Sequence, residues 1–268
     1  MKKLKLAVIG KDVSKSTSPE IHSFIAERLG YAVDYQKLSV SEDDFENRIE
    51  DFFEEFDGFN VTIPYKLSVI PHLNKVEGDA RVFGAVNTVL TKDRSGNNTD
   101  GLGFMLMLKT NGVDVKGKKA LLLGAGGAGR SVAKKLADGG ARVFVYDRSK
   151  ESAKAVAAEF EGVTALDEIA NENYYLIINA TGVGMHKTEG ISPVGEELLS
   201  KTEIAVDLIY TPKKSKFLQI AESLGKQIIN GSAMLFYQAY YSECIYFGFT
   251  PDEIQAKTLF NEFSKEEL

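Results

Sequence analysis

Residues 119–129 read KALLLGAGGAG, and no other segment restricts the possible fold so tightly. Lys119–Leu123 is an apolar run of strand length, and Arg130–Asp138 has helical spacing. Between them stands G-x-G-x-x-G at Gly124, Gly126 and Gly129. In a strand–loop–helix context the first glycine permits the tight turn. The second leaves room for a pyrophosphate, and the third lets helix and strand approach closely. Amides at the helix start then face the phosphates. Asp147 follows the strand-like Arg142–Tyr146 and lies 23 positions after Gly124, where a carboxylate takes hydrogen bonds from an adenosine ribose. The pattern predicts a dinucleotide site built from Gly124, Ala125, Gly126, Gly127, Ala128 and Gly129 with Asp147, Arg148 and Ser149. The competing reading is a purely structural cluster of turns. Arg148 has two readings as well, a surface partner for Glu151 or a clasp for a ribose 2′-phosphate.

Composition narrows the class. The chain has 268 residues, 24 of them glycine but only 6 proline, which suits ordered turns better than flexible linkers. A net charge of −6 disfavours nucleic acid and anionic lipid as partners, since both are themselves negative. The basic run Lys213–Lys216 is read as a solvated helix start. One cysteine, Cys244, fits a reducing compartment, and its aromatic neighbours suggest packing. His22, His72 and His186 are dispersed, so no metal site is expected. The apolar start Leu4–Ile9 is too short for a signal or membrane segment, and a cytoplasmic protein is expected.

Along the chain, strands are expected at Leu4–Ile9, Tyr31–Leu38, Phe59–Ile63 and Ala85–Leu90, with helices at 19–29 and from Ser41 to Glu55. Asp93–Asn98 reads as a turn. Gly101–Thr110 is expected to be helical. The second set of strands comprises Lys119–Leu123, Arg142–Tyr146, Leu176–Asn179, Ala205–Leu208 and Gly225–Ile229, with helices at Arg130–Asp138, Ser152–Phe160 and Lys216–Leu224. This alternation is the grammar of an α/β protein with a mostly parallel sheet. After Gly231 the aromatic segment 233–247, interrupted by Gln238 and Glu243, predicts a buried helix. Pro251–Phe263 predicts an amphipathic one.

Polar residues gather where strands of the first half end: Ser16-Thr17-Ser18-Pro19, Asn60 through Lys66, Asn87-Thr88 and Asn98-Thr99-Asp100. Each is individually a common cap or turn former. Together they suit a polyhydroxylated ligand. Lys66 and Asp100 are the candidate catalytic ions. Carbonyl reduction needs a proton at the developing alkoxide, which a lysine supplies and a carboxylate orients.

At this point the chain resembles the shikimate dehydrogenase family over essentially its whole length. The resemblance rests on Ser16-Thr17-Ser18-Pro19 with His22, Asn60 through Lys66, Gly84 through Thr88 and Asn98 through Gly101. It continues in Gly124 through Ala128, Asn179-Ala180-Thr181, Asp207 through Tyr210, and Gly231 through Ala239. It implies reversible reduction of 3-dehydroshikimate to shikimate. Two α/β domains are implied: a substrate domain of residues 1–100 and 232–268, completed by the C-terminal helices, and a Rossmann-like dinucleotide domain of residues 101–231. Ser16 and Ser18 would bind the substrate carboxylate. Thr62, Lys66, Asn87, Asp100 and Gln238 would surround the ring hydroxyls, with Tyr210 nearby. Thr181, Leu208 and Gly231 would join the cofactor site.

Family pattern implies NADP. Asp147, where NADP-specific members carry asparagine, points to NAD or dual use, as in the related quinate/shikimate dehydrogenases. The second phosphate-binding arginine of the NADP-specific members falls near Ser152 and is missing. Other departures are Asp12, Lys15, Gly182 and Ser215. Assembly is expected to be monomeric or homodimeric.

Overall fold

The computed structural model describes residues 3–266, and their backbone alternates strand and helix much as the hydrophobic spacing requires. The first stretch runs β1 (Lys3–Gly10), α1 (Ser18–Arg28), β2 (Ala32–Ser39), α2 (Glu42–Glu55) and β3 (Gly58–Val61). It continues through β4 (Lys75–Val76), α3 (Gly78–Phe83), β5 (Thr88–Leu90), β6 (Ser95–Asn97) and α4 (Asp100–Thr110). Next come β7 (Lys119–Leu123), α5 (Gly127–Asp138), β8 (Arg142–Tyr146), α6 (Lys150–Glu159), β9 (Val163–Ala165) and β10 (Tyr174–Asn179). The last stretch comprises α7 (Glu196–Leu199), β11 (Thr202–Asp207), α8 (Lys216–Ser223), β12 (Gln227–Ile229), α9 (Ser232–Phe247) and α10 (Glu253–Glu266). Two compact units result: Met1–Gly103 with Phe236–Leu268, and Phe104–Leu235.

In the first unit six strands form one sheet in the order β2-β1-β3-β5-β6-β4. β1 runs parallel to β2 and β3, while β5 is antiparallel to both β3 and β6. Leu6, Ala7, Val8 and Ile9 are all buried, so this strand is covered on both faces. Helix α2 shows what covers it. The Ser41 hydroxyl accepts the Asp44 N–H at 3.2 Å and caps the helix, worth about 1 kcal/mol. Phe45, Ile49, Phe52 and Phe53 then bury one stripe against Ala7 and Ile9, at about 1.5–3 kcal/mol each. The stripe therefore outweighs the cap in holding α2 to the sheet. Phe24 of α1 meets Phe236 of α9 and Phe263 of α10 edge-on, which ties the end of the chain to its beginning.

All six strands of the second unit are parallel, in the order β12-β11-β10-β7-β8-β9. Counted within the unit, this is the doubly wound order 3-2-1-4-5-6, whose direction reverses between β7 and β10. Leu121, Leu123, Ile177 and Ala205 from the strands pack with Phe217 and Leu218 of α8. Asp207, fully buried at the end of β11, fastens three elements. Its carboxylate accepts from Ser215 Oγ at 2.5 Å, Asn179 Nδ2 at 3.0 Å and Ile209 N at 3.0 Å. Ser215 is the N-cap of α8, so the short basic run is a helix start, with Lys214 paired to Glu222.

Several expected boundaries move. β3 stops at Val61 rather than Ile63, because Tyr65 N–H turns back to Thr62 O at 2.9 Å. Part of the expected Asp93–Asn98 turn is strand β6, where pairing with β5 overrides weak local propensity. Helix α6 begins at Lys150 because Ser149 accepts the Ser152 N–H and is the cap. The short β4, α3, β9 and α7 escape periodicity altogether, being at most six residues long. Cys244 is buried, and burial pushes its thiol up to about 12, in keeping with a packing role. Among the described residues no helix is long and apolar enough to cross a membrane.

Two stability measurements follow. A Cβ on Gly58 would lie 2.6 Å from the Tyr246 ring and 2.9 Å from Val89 O. Gly58→Ala should therefore lower the urea midpoint by the equivalent of about 1–3 kcal/mol, with the slope unchanged. Burial raises the Asp207 carboxyl above its ordinary 3.8, opposed by its hydrogen bonds from Ser215, Ile209 and Asn179. The folded state therefore holds that proton more tightly than the unfolded chain. The associated stability is present at low pH and is lost as pH rises from about 3.8 through the higher folded value. Measured against Asp207→Asn, the wild-type chain should lose relative stability across this window; a flat difference would contradict the assignment.

Candidate active site

Strand β3 leads into the turn that carries Lys66. Tyr65, stacked on Phe45 at 4.2 Å with its hydroxyl donating to Val40 O at 2.5 Å, pins this turn to the core. Backbone contacts do the rest, since Lys66 O accepts the Val86 N–H at 2.8 Å. Asp100 opens α4, with its N–H held by Asn98 Oδ1 at 3.1 Å. Lys66 Nζ and Asp100 Oδ2 lie 2.5 Å apart. Their side chains are 26% and 15% exposed, so the pair is reachable but largely shielded from water.

Asn87 governs the other carboxylate oxygen. Its Nδ2 donates to Asp100 Oδ1 at 2.8 Å and to Thr99 Oγ1 at 3.0 Å. Its Oδ1 accepts from Thr99 N at 3.0 Å and Thr88 Oγ1 at 2.8 Å. Gln238 on α9 reaches the same cluster, with Thr99 Oγ1 donating to its Oε1 at 3.5 Å. Asn60, Thr88, Thr99 and Ser242 form the buried layer beneath. Of these, Ser242 is the one the sequence motifs did not flag. A serine inside an aromatic helix was the available signal.

Ser16 and Ser18 sit together before α1, with Ser16 Oγ donating to Ser18 Oγ at 3.0 Å. The cap position belongs to Thr17, which makes no side-chain capping bond, so Ser18 is not a capping serine. Thr62 is half-buried beside Gly10, where an added Cβ would come within 2.5 Å of its methyl group. All these groups lie in the first unit, whereas Tyr210, 39% exposed, belongs to the second.

In the second unit the glycines divide their labour. Gly124 has φ +104°, and a Cβ there would meet Ala180 backbone at 3.0 Å. A Cβ on Gly129 would lie 2.1 Å from Gly124 O, so only glycine lets α5 come this close. Gly126 and Gly127 have nothing within 4 Å of an added Cβ. They are exposed at the start of α5, a helix of 12 residues whose first N–H groups receive no side-chain cap. Open space and free donors at a helix N-terminus fit a pyrophosphate. Gly231 packs as closely as Gly129, with an added Cβ 2.1 Å from Leu208 O.

Asp147 closes the loop from below. Its two oxygens accept from Ala125 N at 2.7 Å and Ser149 N at 2.9 Å. Arg148 is exposed and, among the described residues, forms no ion pair with Glu151 or any other acid. Across the reversal point, Thr181 is held by Asn179, whose Oδ1 accepts Thr181 N and Oγ1 at 3.1 and 2.6 Å. Leu208 N donates to Asn179 O at 2.9 Å. Among the described residues no group of acidic, histidine and cysteine side chains could hold a metal; the side chain of His186 lies outside them.

Comparison with known proteins agrees with this arrangement. Residues 8–89 match the family described as shikimate dehydrogenase substrate binding domain, and residues 106–188 match shikimate / quinate 5-dehydrogenase. The chain is 38% identical to the shikimate dehydrogenase (NADP(+)) of Carboxydothermus hydrogenoformans, covering 86% of this chain and 87% of that one. It resembles the crystal structure of a chorismate mutase/shikimate 5-dehydrogenase fusion protein from Clostridium acetobutylicum, with a TM-score of 0.91 at 36% identity and 99% coverage of both chains. Shikimate 5-dehydrogenase from Thermus thermophilus, solved with NADP(H) and shikimate, superposes with a TM-score of 0.85 at 36% identity, covering 97% and 99%. By sequence and by fold, this chain belongs to the shikimate dehydrogenase family.

Proposed function

We propose that this protein is a shikimate dehydrogenase that reversibly reduces 3-dehydroshikimate to shikimate with NADP, a step toward chorismate and the aromatic amino acids. The observation that carries the reading is the Lys66–Asp100 pair with Asn87 fixed behind it. In the reductive direction the Lys66 ammonium polarises the C3 carbonyl oxygen. It gives that oxygen a proton as the carbonyl becomes an alcohol. Asp100 keeps the ammonium aimed, and Asn87 prevents the carboxylate from rotating. Ser16 and Ser18 take the substrate carboxylate, while Thr62, Asn87 and Gln238 address ring hydroxyls. In the oxidative direction the same lysine accepts the alcohol proton.

The Gly124–Gly129 loop, Ser149, Thr181, Leu208 and Gly231 hold the dinucleotide, which supplies the hydride when bound. NADP is favoured because Asp147 is committed to the Ala125 and Ser149 amides, while the next residue, Arg148, is exposed and unpaired among the described residues. NAD use is the second reading, and Asp147 is the observation behind it, since a carboxylate there repels a 2′-phosphate. A small-molecule enzyme of this kind working in the cytoplasm accords with the acidic surface and single buried thiol.

One spectrophotometric series tests both levels. Shikimate oxidation should run with NADP in preference to NAD, and quinate should be a poor substitute. Lys66→Ala should lower kcat by about 10²–10⁴-fold with dinucleotide binding retained; unchanged turnover would remove Lys66 from the mechanism. Arg148→Ala should raise the NADP KM roughly tenfold and leave NAD unaffected, as expected for one lost charge-assisted contact. Equal effects on both dinucleotides would refute the 2′-phosphate role.

A further inference from the structure

Glu243 interrupts the aromatic helix α9, and nothing in the reaction described above uses it. It is fully buried, and so is its partner His22 on α1, with Nδ1 and Oε1 2.5 Å apart. A buried carboxylate or imidazole without its partner is costly, whereas replacing both groups by apolar ones is often neutral. Stability alone therefore gives no reason for this pair. Three buried polar atoms near it, His22 Nε2, Glu243 Oε2 and Tyr246 Oη, have no hydrogen-bond partner among the described residues.

The geometry around the pair gives it a role. The His22 ring stacks on Tyr35, with centroids 4.4 Å apart and planes 21° from parallel. The Tyr35 hydroxyl donates to Asn60 Oδ1 at 2.7 Å. Burial foremost, then the charge of Glu243, push that hydroxyl well above its ordinary titration range, with Ser18 acting the other way. It therefore remains an O–H donor. The Asn60 amide is oriented from its other side, because the Asn87 backbone carbonyl can only accept, and Tyr35 supplies the donor that Asn60 Oδ1 then requires. Asn60 Nδ2 donates to Asn87 O at 3.1 Å and Thr88 Oγ1 at 3.2 Å. Thr88 donates onward to Asn87 Oδ1, and Asn87 Nδ2 to Asp100 Oδ1. The donors thus point one way from Tyr35 to the carboxylate that holds Lys66.

We propose that the His22–Glu243 pair is a positioning unit: by clamping the Tyr35 ring it holds the donor that Asn60 Oδ1 requires, and so keeps in place the Asn60–Thr88–Asn87 layer that orients Asp100 toward Lys66. This inference rests on the functional reading above, and its test separates the two.

The full-length chain would be prepared as Glu243→Ala, as the apolar double variant H22L/E243L, and as Tyr35→Phe. Each would be followed by melting temperature, by kcat and KM for shikimate and dinucleotide, and by NMR of the Asn60 and Asn87 side-chain amides without ligand. The double variant should melt near wild type yet lose kcat by about tenfold or more, the scale expected of a catalytic group moved by a fraction of an ångström. The dinucleotide KM should be unchanged, and both amide signals should shift. Tyr35→Phe should lose a similar factor, and combining it with H22L/E243L should add nothing further, because the changes act through one chain. If Glu243→Ala does not fold, the double variant decides alone. Wild-type kcat with unmoved amide signals in a folded variant would overturn the proposal, as would losses that multiply. If the wild-type chain turns over shikimate with neither dinucleotide, the functional reading fails. The amide signals then decide the positioning claim by themselves: a shift supports it and none overturns it.

Discussion

The carboxamide of Asn87 lies buried between the start of β5 and the start of α4, where it has no water to fall back on. Its oxygen receives two donors and its nitrogen serves two acceptors, so flipping it would set donors against donors. That single fixed amide determines which way Asp100 faces, and Asp100 determines where the Lys66 ammonium rests. An unsatisfied buried amide costs about 1–3 kcal/mol, comparable with the whole contribution of a catalytic hydrogen bond. The surrounding sheet and helices can accordingly be understood as the frame that keeps one side chain in one orientation.

The second unit solves a different problem with backbone rather than side chains. Its parallel strands leave a reversal point between β7 and β10, and the glycine loop and the Asn179–Thr181 turn both emerge there. Gly124 and Gly129 are buried and serve packing, while Gly126 and Gly127 face open space. One motif therefore holds two kinds of glycine. Asp207 and Asn179 brace the neighbouring turn, and the Asp147 carboxylate holds the loop itself through the Ala125 amide.

Much of this was legible in the sequence because the governing interactions are local. The strand Lys119–Leu123 coincides residue for residue with its expectation, and so does Arg142–Tyr146, since apolar runs bounded by turns leave little choice. The stripe of α2 emerged intact from the spacing of Phe45, Ile49, Phe52 and Phe53. Strand β6 did not, because Ser95–Asn97 becomes a strand only through pairing with β5, a contact periodicity cannot register. In the site, the motifs singled out Lys66, Asn87 and Asp100, and the folded chain brings them within hydrogen-bonding distance. The motifs did not pick out Tyr35, Ser242 or Glu243 as functional. Their partners lie 25, 182 and 221 positions away in sequence, so only the tertiary structure reveals what they do.

Cys244 has a practical corollary. Buried, and with its thiol pushed up to about 12, it holds very little of the reactive thiolate at neutral pH. Toward alkylating reagents the native chain should therefore react slowly. A thiol introduced at any exposed position would be the preferred site of labelling, so fluorescent or spin probes could be placed on either unit without first removing a native residue.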